Sequence, residues 1–253
     1  MRLLVDIGSS RCKYARYEQD AVAFCDAVPV NDLAAGLRAS FAKHPGRAPQ
    51  SVHVASVAGA EHDARFAQTV RDVFGVEPVA LSPKLPVCGV TTRYRPEQLG
   101  VDRCLALVAA WHRVGRSCIV ADCGTAVTLD YLDAGGLHHG GVIVPGAALL
   151  HDALRRGTHR LGAADTGAGA GAGNLPATDT AGAIGAGCRR MMHAALEGII
   201  ADLRRRGDDD ALIVGTGGGV QALADATAGD FLHAPNLVFE GMVIVGEACR
   251  WRP

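Results

Sequence analysis

Two stretches decide the fold, Val5-Asp6-Ile7-Gly8-Ser9-Ser10 and Ala121-Asp122-Cys123-Gly124-Thr125-Ala126. They share one form at an offset of 116 residues, from Asp6 to Asp122. An apolar run of strand type precedes each Asp: Leu3-Leu4-Val5 in the first copy, Cys118-Ile119-Val120 in the second. After the Gly and its hydroxyl pair comes a second alternating stretch, Cys12 to Tyr17 and Val127 to Tyr131. Turn residues then lead to a third strand-like run, Ala21 to Cys25 and Leu137 to Val144. Each half therefore opens as three antiparallel strands joined by tight turns.

Helical spacing follows in both halves. Phe66, Val70, Val73 and Phe74 form one stripe, and Val101, Leu105 and Val108 another. In the second half the expected stripe is Ile184, Cys188, Met191, Ala195 and Ile199. Short β-branched runs at Ser51 to Val57 and Leu212 to Val214 lie between helical segments. Strands, then alternating helix and strand, twice over, is a duplicated α/β pattern. The helix-like element over 96–114 sets the expected junction near residue 115, giving domains of 1–115 and 116–253. Gly162 to Ala177, which contains DTGAGAGAGNLP, has almost no side chain to pack. It reads as a surface loop or as a flap beside a site.

Composition narrows the function classes. Lys plus Arg total 25 against 26 Asp plus Glu, with 20% charged and 49% hydrophobic residues. That balance argues against a strongly cationic nucleic-acid binder and against an acidic disordered chain. No apolar run approaches the ~18 residues needed to span a bilayer. Asp6 interrupts the opening apolar run too early for a signal peptide, so a cytoplasmic protein is expected. The eight cysteines have no C-x-x-C pair and read as reduced packing thiols. His138-His139, the one adjacent histidine pair, reads as surface or packing residues, since neighbours on a strand face opposite ways.

Asp-x-Gly followed by Ser or Thr, on a turn between strands, suits phosphate. The glycine lets backbone N–H groups approach, the hydroxyls add donors, and the carboxylate holds a neutralising cation. Asp and Gly are also common hairpin residues, so it is the matched second copy that gives the motif weight. A third cluster, Gly215-Thr216-Gly217-Gly218-Gly219, follows a strand and precedes a helix, where nucleotide can be cradled. No G-x-x-x-x-G-K-[ST] is present, which excludes a P-loop.

In order along the chain stand Asp6-x-Gly8 with Lys13, Gly100-Val101-Asp102-Arg103 and Asp122-x-Gly124-Thr125-Ala126-x-Thr128-x-Asp130. Gly140-Gly141-x-Ile143-x-Pro145-Gly146, Asp179-Thr180-x-x-Ala183-Ile184-x-x-Gly187 and Thr216-Gly217-Gly218 follow. This series resembles the type III pantothenate kinases, members of the acetate kinase, sugar kinase, heat-shock chaperone and actin superfamily. The resemblance runs from residue 3 to about 245. Two departures stand out: Ser9-Ser10 where Asn-Thr is usual, and Asp179 where Asn is usual.

The resemblance implies two duplicated ribonuclease H-like (actin-like ATPase) domains with a cleft between them. It implies ATP-dependent phosphorylation of pantothenate, the first step of coenzyme A synthesis, by a homodimer. Asp102 matches the catalytic base; by its residues alone it reads first as a helix N-terminal carboxylate favoured by the dipole. Arg103 matches a partner for the pantothenate carboxylate, or else is a solvated surface charge. Tyr94, Gly100, Val101 and Thr180 match substrate-contacting positions, although Tyr94 also reads as a half-buried strand aromatic. Asp6, Ile7, Gly8, Ser9, Ser10, Arg11, Cys12 and Lys13 form the implied phosphate loop, with Asp6 ordering Mg²⁺ through water. Asp122 matches a monovalent-cation position (K⁺ or NH₄⁺), and Thr125 an ATP contact. Two other readings remain at this point: another small-molecule kinase of the superfamily, and a nucleotide-binding transcriptional accessory factor. No DNA-reading helix motif supports direct nucleic-acid contact.

Overall fold

The computed structural model describes residues 1–32, 35–39, 48–158 and 175–251. The glycine-rich stretch, from 162 to 174, lies outside the described residues. Contacts divide the chain into two units. The first comprises Met1–Gly115, Ala134–His139 and Asn236–Pro253; the second comprises Arg116–Asp133 and Gly140–Pro235.

The first unit is built on β1 (Arg2–Ile7), β2 (Arg11–Glu18), β3 (Ala21–Pro29), β4 (Ser51–Ser56) and β5 (Pro78–Ala80), in sheet order β3-β2-β1-β4-β5. β1 is antiparallel to β2 and parallel to β4, so it is central and buried along Leu3 to Ile7. Period-two alternation sends Leu3, Val5 and Ile7 into one core with Cys12, Tyr14, Val52 and Val54. Helix α1 (Ala60–Phe74) closes that core through Phe66 and Val70, two of the stripe residues. Helix α2 (Val101–Val114) follows, after a segment with only the two-residue strand β6 (Thr91–Thr92) and a 3₁₀ turn at Pro96–Gln98.

The second unit repeats the plan with β7 (Cys118–Cys123), β8 (Ala126–Leu132), β9 (Leu137–Pro145), β10 (Leu212–Thr216) and β11 (Leu232–His233). Their order is β11-β10-β7-β8-β9, with β6 paired beyond β9 at residues of the first unit. Strand for strand, β9-β8-β7-β10-β11 reproduces β3-β2-β1-β4-β5. The hairpins match as well: Asp6 faces Lys13 across β1–β2, and Asp122 faces Thr128 across β7–β8. The duplication read from two hexapeptides is therefore a duplication of sheet topology. Helices α3 (Ala147–Gly157), α4 (Thr180–Arg206) and α5 (Val220–Ala226) complete this unit.

Two elements differ from expectation. The buried face of α4 runs Ile184, Cys188, Met192, Leu196 and Ile200, whereas Met191 is 53% exposed. The expected stripe stepped back by three at Met191; the real one keeps a step of four, which creeps round a straight helix by some 40° per step. The other is α6 (Leu237–Ala248), which belongs to the first unit although it follows the whole second half. It lies so close to α2 that a Cβ on Gly241 would collide with the Leu105 carbonyl. No helix among the described residues is long and apolar enough to cross a membrane.

Gly241→Ala must push α6 off α2, an overpacking that typically costs ~1–3 kcal/mol. Thermal unfolding of the variant is expected several degrees below wild type, at ~2–4 °C per kcal/mol for a chain of this size. An unchanged midpoint would show that the two helices are not in fixed contact.

Candidate active site

Strand alternation that buries Ile7 on one face of β1 places Asp6 on the other. Asp6 is only 5% exposed. Lys13, directly across the hairpin, puts Nζ 3.3 Å from its Oδ2 and keeps a side chain 34% exposed. Burial raises the Asp6 pKa above a free aspartate's 3.8; Lys13 opposes the rise, and the nearby charge of Asp102 adds to it. Burial, more than any neighbouring charge, is thus what opposes ionisation of Asp6.

The turn between β1 and β2 is closed by the Gly8 N–H donating to the Arg11 carbonyl at 3.0 Å. Ser9 and Ser10 are exposed on it. Ile7 and Cys12 point into the core, and burial pushes the Cys12 thiol up to about 12. Arg11 donates from its guanidinium to the Ala27 carbonyl at 2.8 Å. At the tip, then, Ser9, Ser10 and Arg11 are exposed and Gly8 and Lys13 half-buried, while the side chains of Ile7 and Cys12 are turned into the core.

Asp102 stands in the first turn of α2, half-buried, with Oδ1 accepting the Arg103 N–H at 2.8 Å. Gly100 leaves it room, since a Cβ there would lie 2.5 Å from that same oxygen. Arg103 is 8% exposed, which sets aside the solvated-charge reading, and its guanidinium lies 5.2 Å from the centre of the Tyr94 ring. Val101 is half-buried beside them.

In the second unit the β7–β8 turn repeats the closure, Gly124 N–H to Ala126 carbonyl at 3.0 Å. Asp122 lies against the third glycine cluster: a Cβ on Gly217 would sit 2.5 Å from the Cys123 carbonyl and 2.7 Å from Asp122 Oδ1. With φ at +91°, Gly217 also holds a backbone conformation other residues resist. Gly219 donates to the Cys123 carbonyl at 2.8 Å. The carbonyl of Thr125 accepts the Gly146 N–H at 3.0 Å, tying the Pro145-Gly146 motif to this turn. Burial, then the Asp122 charge, pushes Cys123 up to about 12, so the thiols flanking both turns are packing groups rather than nucleophiles. Thr180 is exposed at the start of α4, where Asp179 caps the helix by accepting the Gly182 N–H at 2.8 Å.

The structure thus gathers Asp6, Lys13, Tyr94, Asp102 and Arg103 in the first unit. Asp122, Thr125 and Thr180 belong to the second. Sequence reasoning passed over Thr92 and His138. His138 is fully buried and shares a 2.8 Å hydrogen bond with Thr92 Oγ1; the only sequence signal was a histidine pair on a strand.

The solved structures that resemble this chain define the class first. A protein assigned to the Baf family of transcriptional activators, from Campylobacter jejuni, is 21% identical with a TM-score of 0.60 over 98% of each chain. A ROK family glucokinase from Streptomyces griseus, in complex with glucose and AMPPNP, is 12% identical with a TM-score of 0.53, over 98% of this chain and 99% of that one. Such likenesses speak to fold, and the fold is the ribonuclease H-like one of actin-like ATPases and kinases.

The type III pantothenate kinase family model matches residues 2–202. A type III pantothenate kinase of Halorhodospira halophila is 37% identical over 251 residues, 96% of each chain. One from Pseudomonas aeruginosa is 31% identical over 246 residues, 96% of this chain and 98% of its own. The chain belongs to the type III pantothenate kinase family. It is a phosphotransferase that uses ATP and a divalent metal on pantothenate, at the entry to coenzyme A synthesis.

A Mg²⁺ ion fits what the first unit offers. Among the described residues no three His, Cys, Asp or Glu side chains converge on a metal position. Mg²⁺ on phosphate substrates needs only one or two carboxylates and keeps its waters, and Asp6 is a buried carboxylate beside the turn.

Because Asp6 holds its proton more tightly folded than unfolded, its ionised form destabilises the fold. That cost is absent below the unfolded value of 3.8 and develops as pH rises through the folded one. Asp6→Asn is therefore expected to raise the melting temperature by a few degrees near pH ~7 and by almost nothing near pH ~3. Its kinase activity should fall. An equal shift at both pH values would show that the carboxylate's ionisation is not the cause.

Proposed function

We propose that Asp102 is the general base of pantothenate phosphorylation. The observation that carries this reading is the set of neighbours in the first unit. A half-exposed carboxylate is fixed at a helix start by the Arg103 amide, next to a buried Arg103 stacked on Tyr94 and within electrostatic reach of Asp6.

Phosphoryl transfer asks the protein mainly for alignment and charge neutralisation. Asp102 takes the proton from the pantothenate hydroxyl as that oxygen bonds to the γ-phosphorus. The bond from that phosphorus to the β–γ bridging oxygen breaks, and ADP departs with the bridging electrons. Arg103 holds the pantothenate carboxylate through its planar fork, with Tyr94, Gly100 and Val101 shaping the pocket wall. Gly8, Ser9, Ser10 and Lys13 carry the phosphates, with Ile7, Arg11 and Cys12 serving through backbone. Asp6 orders Mg²⁺ through water, and the metal supplies charge neutralisation on the phosphates. This role suits a buried carboxylate whose pKa already lies above the ordinary aspartate value.

The second turn takes nucleotide at Thr125 and a monovalent cation at Asp122. The duplication supports this assignment. Where Asp6 has Lys13 across the hairpin, Asp122 has Thr128. The first copy has an ammonium across the hairpin and the second a hydroxyl, and carboxylate, hydroxyl and carbonyl oxygens are the donors that a weakly held ion such as K⁺ or NH₄⁺ takes. The reading also includes a cytoplasmic homodimer and no nucleic-acid partner.

A coupled ADP-release assay with and without pantothenate tests the activity, and Asp102→Asn tests the base. The variant keeps shape, so ATP binding should persist while turnover falls ~10²–10⁴-fold. Turnover within about threefold of wild type would remove Asp102 from the role.

The cation is tested with chloride salts of Na⁺, K⁺ and NH₄⁺ at matched ionic strength. Activity with Mg²⁺ and ATP is expected to be low in Na⁺ and restored by K⁺ or NH₄⁺. Asp122→Ala should remove that dependence together with most activity. Equal rates in all three salts would sink the assignment.

A further inference from the structure

We infer that His138 and Thr92 form a buried staple that positions Tyr94, and through it Arg103, for the acidic substrate. The inference rests on the reading of Tyr94 and Arg103 as pantothenate contacts. It goes beyond that reading by assigning a function to two residues outside the set of substrate and nucleotide contacts.

The segment from Leu81 to Gly100 must place Tyr94, yet it contains almost no regular structure. Its one ladder is β6, two residues long, paired in parallel with β9 at Thr91↔Leu137 and Thr92↔His138. The backbone bonds there are few: Thr91 N–H to the Gly136 carbonyl and Arg93 N–H to the His138 carbonyl, both 2.9 Å. A ladder this short leaves the segment poorly fixed by backbone alone. Side chains supply the rest. Thr92 Oγ1 meets His138 Nδ1 at 2.8 Å, and the same oxygen accepts the Tyr94 N–H at 2.9 Å.

The Thr92 hydroxyl therefore joins a fully buried imidazole to the backbone of Tyr94. The Tyr94 ring lies 6.1 Å from the His138 ring, centre to centre. Over that same Tyr94 ring sits the Arg103 guanidinium at 5.2 Å. His138, Thr92, Tyr94 and Arg103 form one chain of contacts inside the first unit, ending in the cation assigned to the substrate carboxylate. Freeing Tyr94 removes the surface on which Arg103 rests, and a buried polar network of this kind loses geometry when one member goes. Ground-state capture of pantothenate then weakens, while nucleotide binding has no reason to change.

Kinetics of three full-length variants test this. Thr92→Val keeps the side-chain outline and deletes the hydroxyl; His138→Phe keeps ring bulk and deletes Nδ1; Thr92→Ser restores the hydroxyl. Each of the first two is expected to raise the KM for pantothenate about tenfold, the scale of one lost buried hydrogen bond. The KM for ATP should stay within about twofold, and Thr92→Ser should lie near wild type. Arg103→Lys and Tyr94→Ala run alongside. If these two raise the pantothenate KM but folded Thr92→Val and His138→Phe do not, the staple is overturned and the substrate assignment survives. If Arg103→Lys and Tyr94→Ala leave that constant unchanged, the assignment fails and the staple with it. Parallel increases in both KM values would mark Thr92 and His138 as merely structural. Should Thr92→Val fail to fold, His138→Phe and Thr92→Ser decide the matter.

Discussion

Burying the Asp6 carboxylate at the end of a central, otherwise apolar strand is a cost that the first unit cannot avoid. The period of two that sends Leu3, Val5 and Ile7 into one core must send Asp6 to the opposite face, where α2 begins and Asp102 adds a second negative charge. Lys13 answers from the neighbouring strand, but as a partly solvated cation it offsets only part of the penalty, and the Asp6 pKa stays raised. A native protein retains such an imbalance where a ligand relieves it. Fixing the carboxylate on a strand hydrogen-bonded on both sides holds it in place without help from substrate. The cost in stability and the reluctance to ionise are one property of one residue, its burial.

How far the sequence spoke depended on whether signals were local. The hairpins around Asp6 and Asp122 were legible because alternation and turn chemistry act within a dozen residues. Their matching order along the chain carried over to the strand order in both sheets. The two- and three-residue strands β5, β6 and β11 were not legible, since their existence depends on a neighbour already in place. In α6, LVFEGMVIVGEA is apolar nearly all round, so the sequence shows that the helix is buried but not against what. Its place beside α2 follows from Gly241 meeting Leu105, a contact across some 130 residues of chain.

The candidate site divides in the same way. Asp102, Arg103 and Tyr94 were named through a pattern of residues, and the structure adds that Arg103 is buried and shares a face with Tyr94. Thr92 and His138 escaped because a threonine and a buried histidine are individually ordinary. What distinguishes them is one oxygen serving two partners, which no linear spacing records.

Duplication makes the differences between the two turns more informative than their likeness. The plan agrees: an Asp before the turn, a glycine N–H donating across it, and the same strand order around it, although the first turn is one residue longer. The cross-strand partners do not, Lys13 in one copy and Thr128 in the other. Nor do the surroundings, since only the second Asp rests against a glycine-rich turn that leaves no room for a side chain, at Gly217. A lysine opposite Asp122 would satisfy that carboxylate permanently, at the expense of any exchangeable ion. Threonine places a hydroxyl there instead, an uncharged oxygen opposite the carboxylate. The same scaffold thus sets an ammonium across the hairpin from the Asp in one half and a hydroxyl in the other, and the two turns differ in charge while sharing a plan.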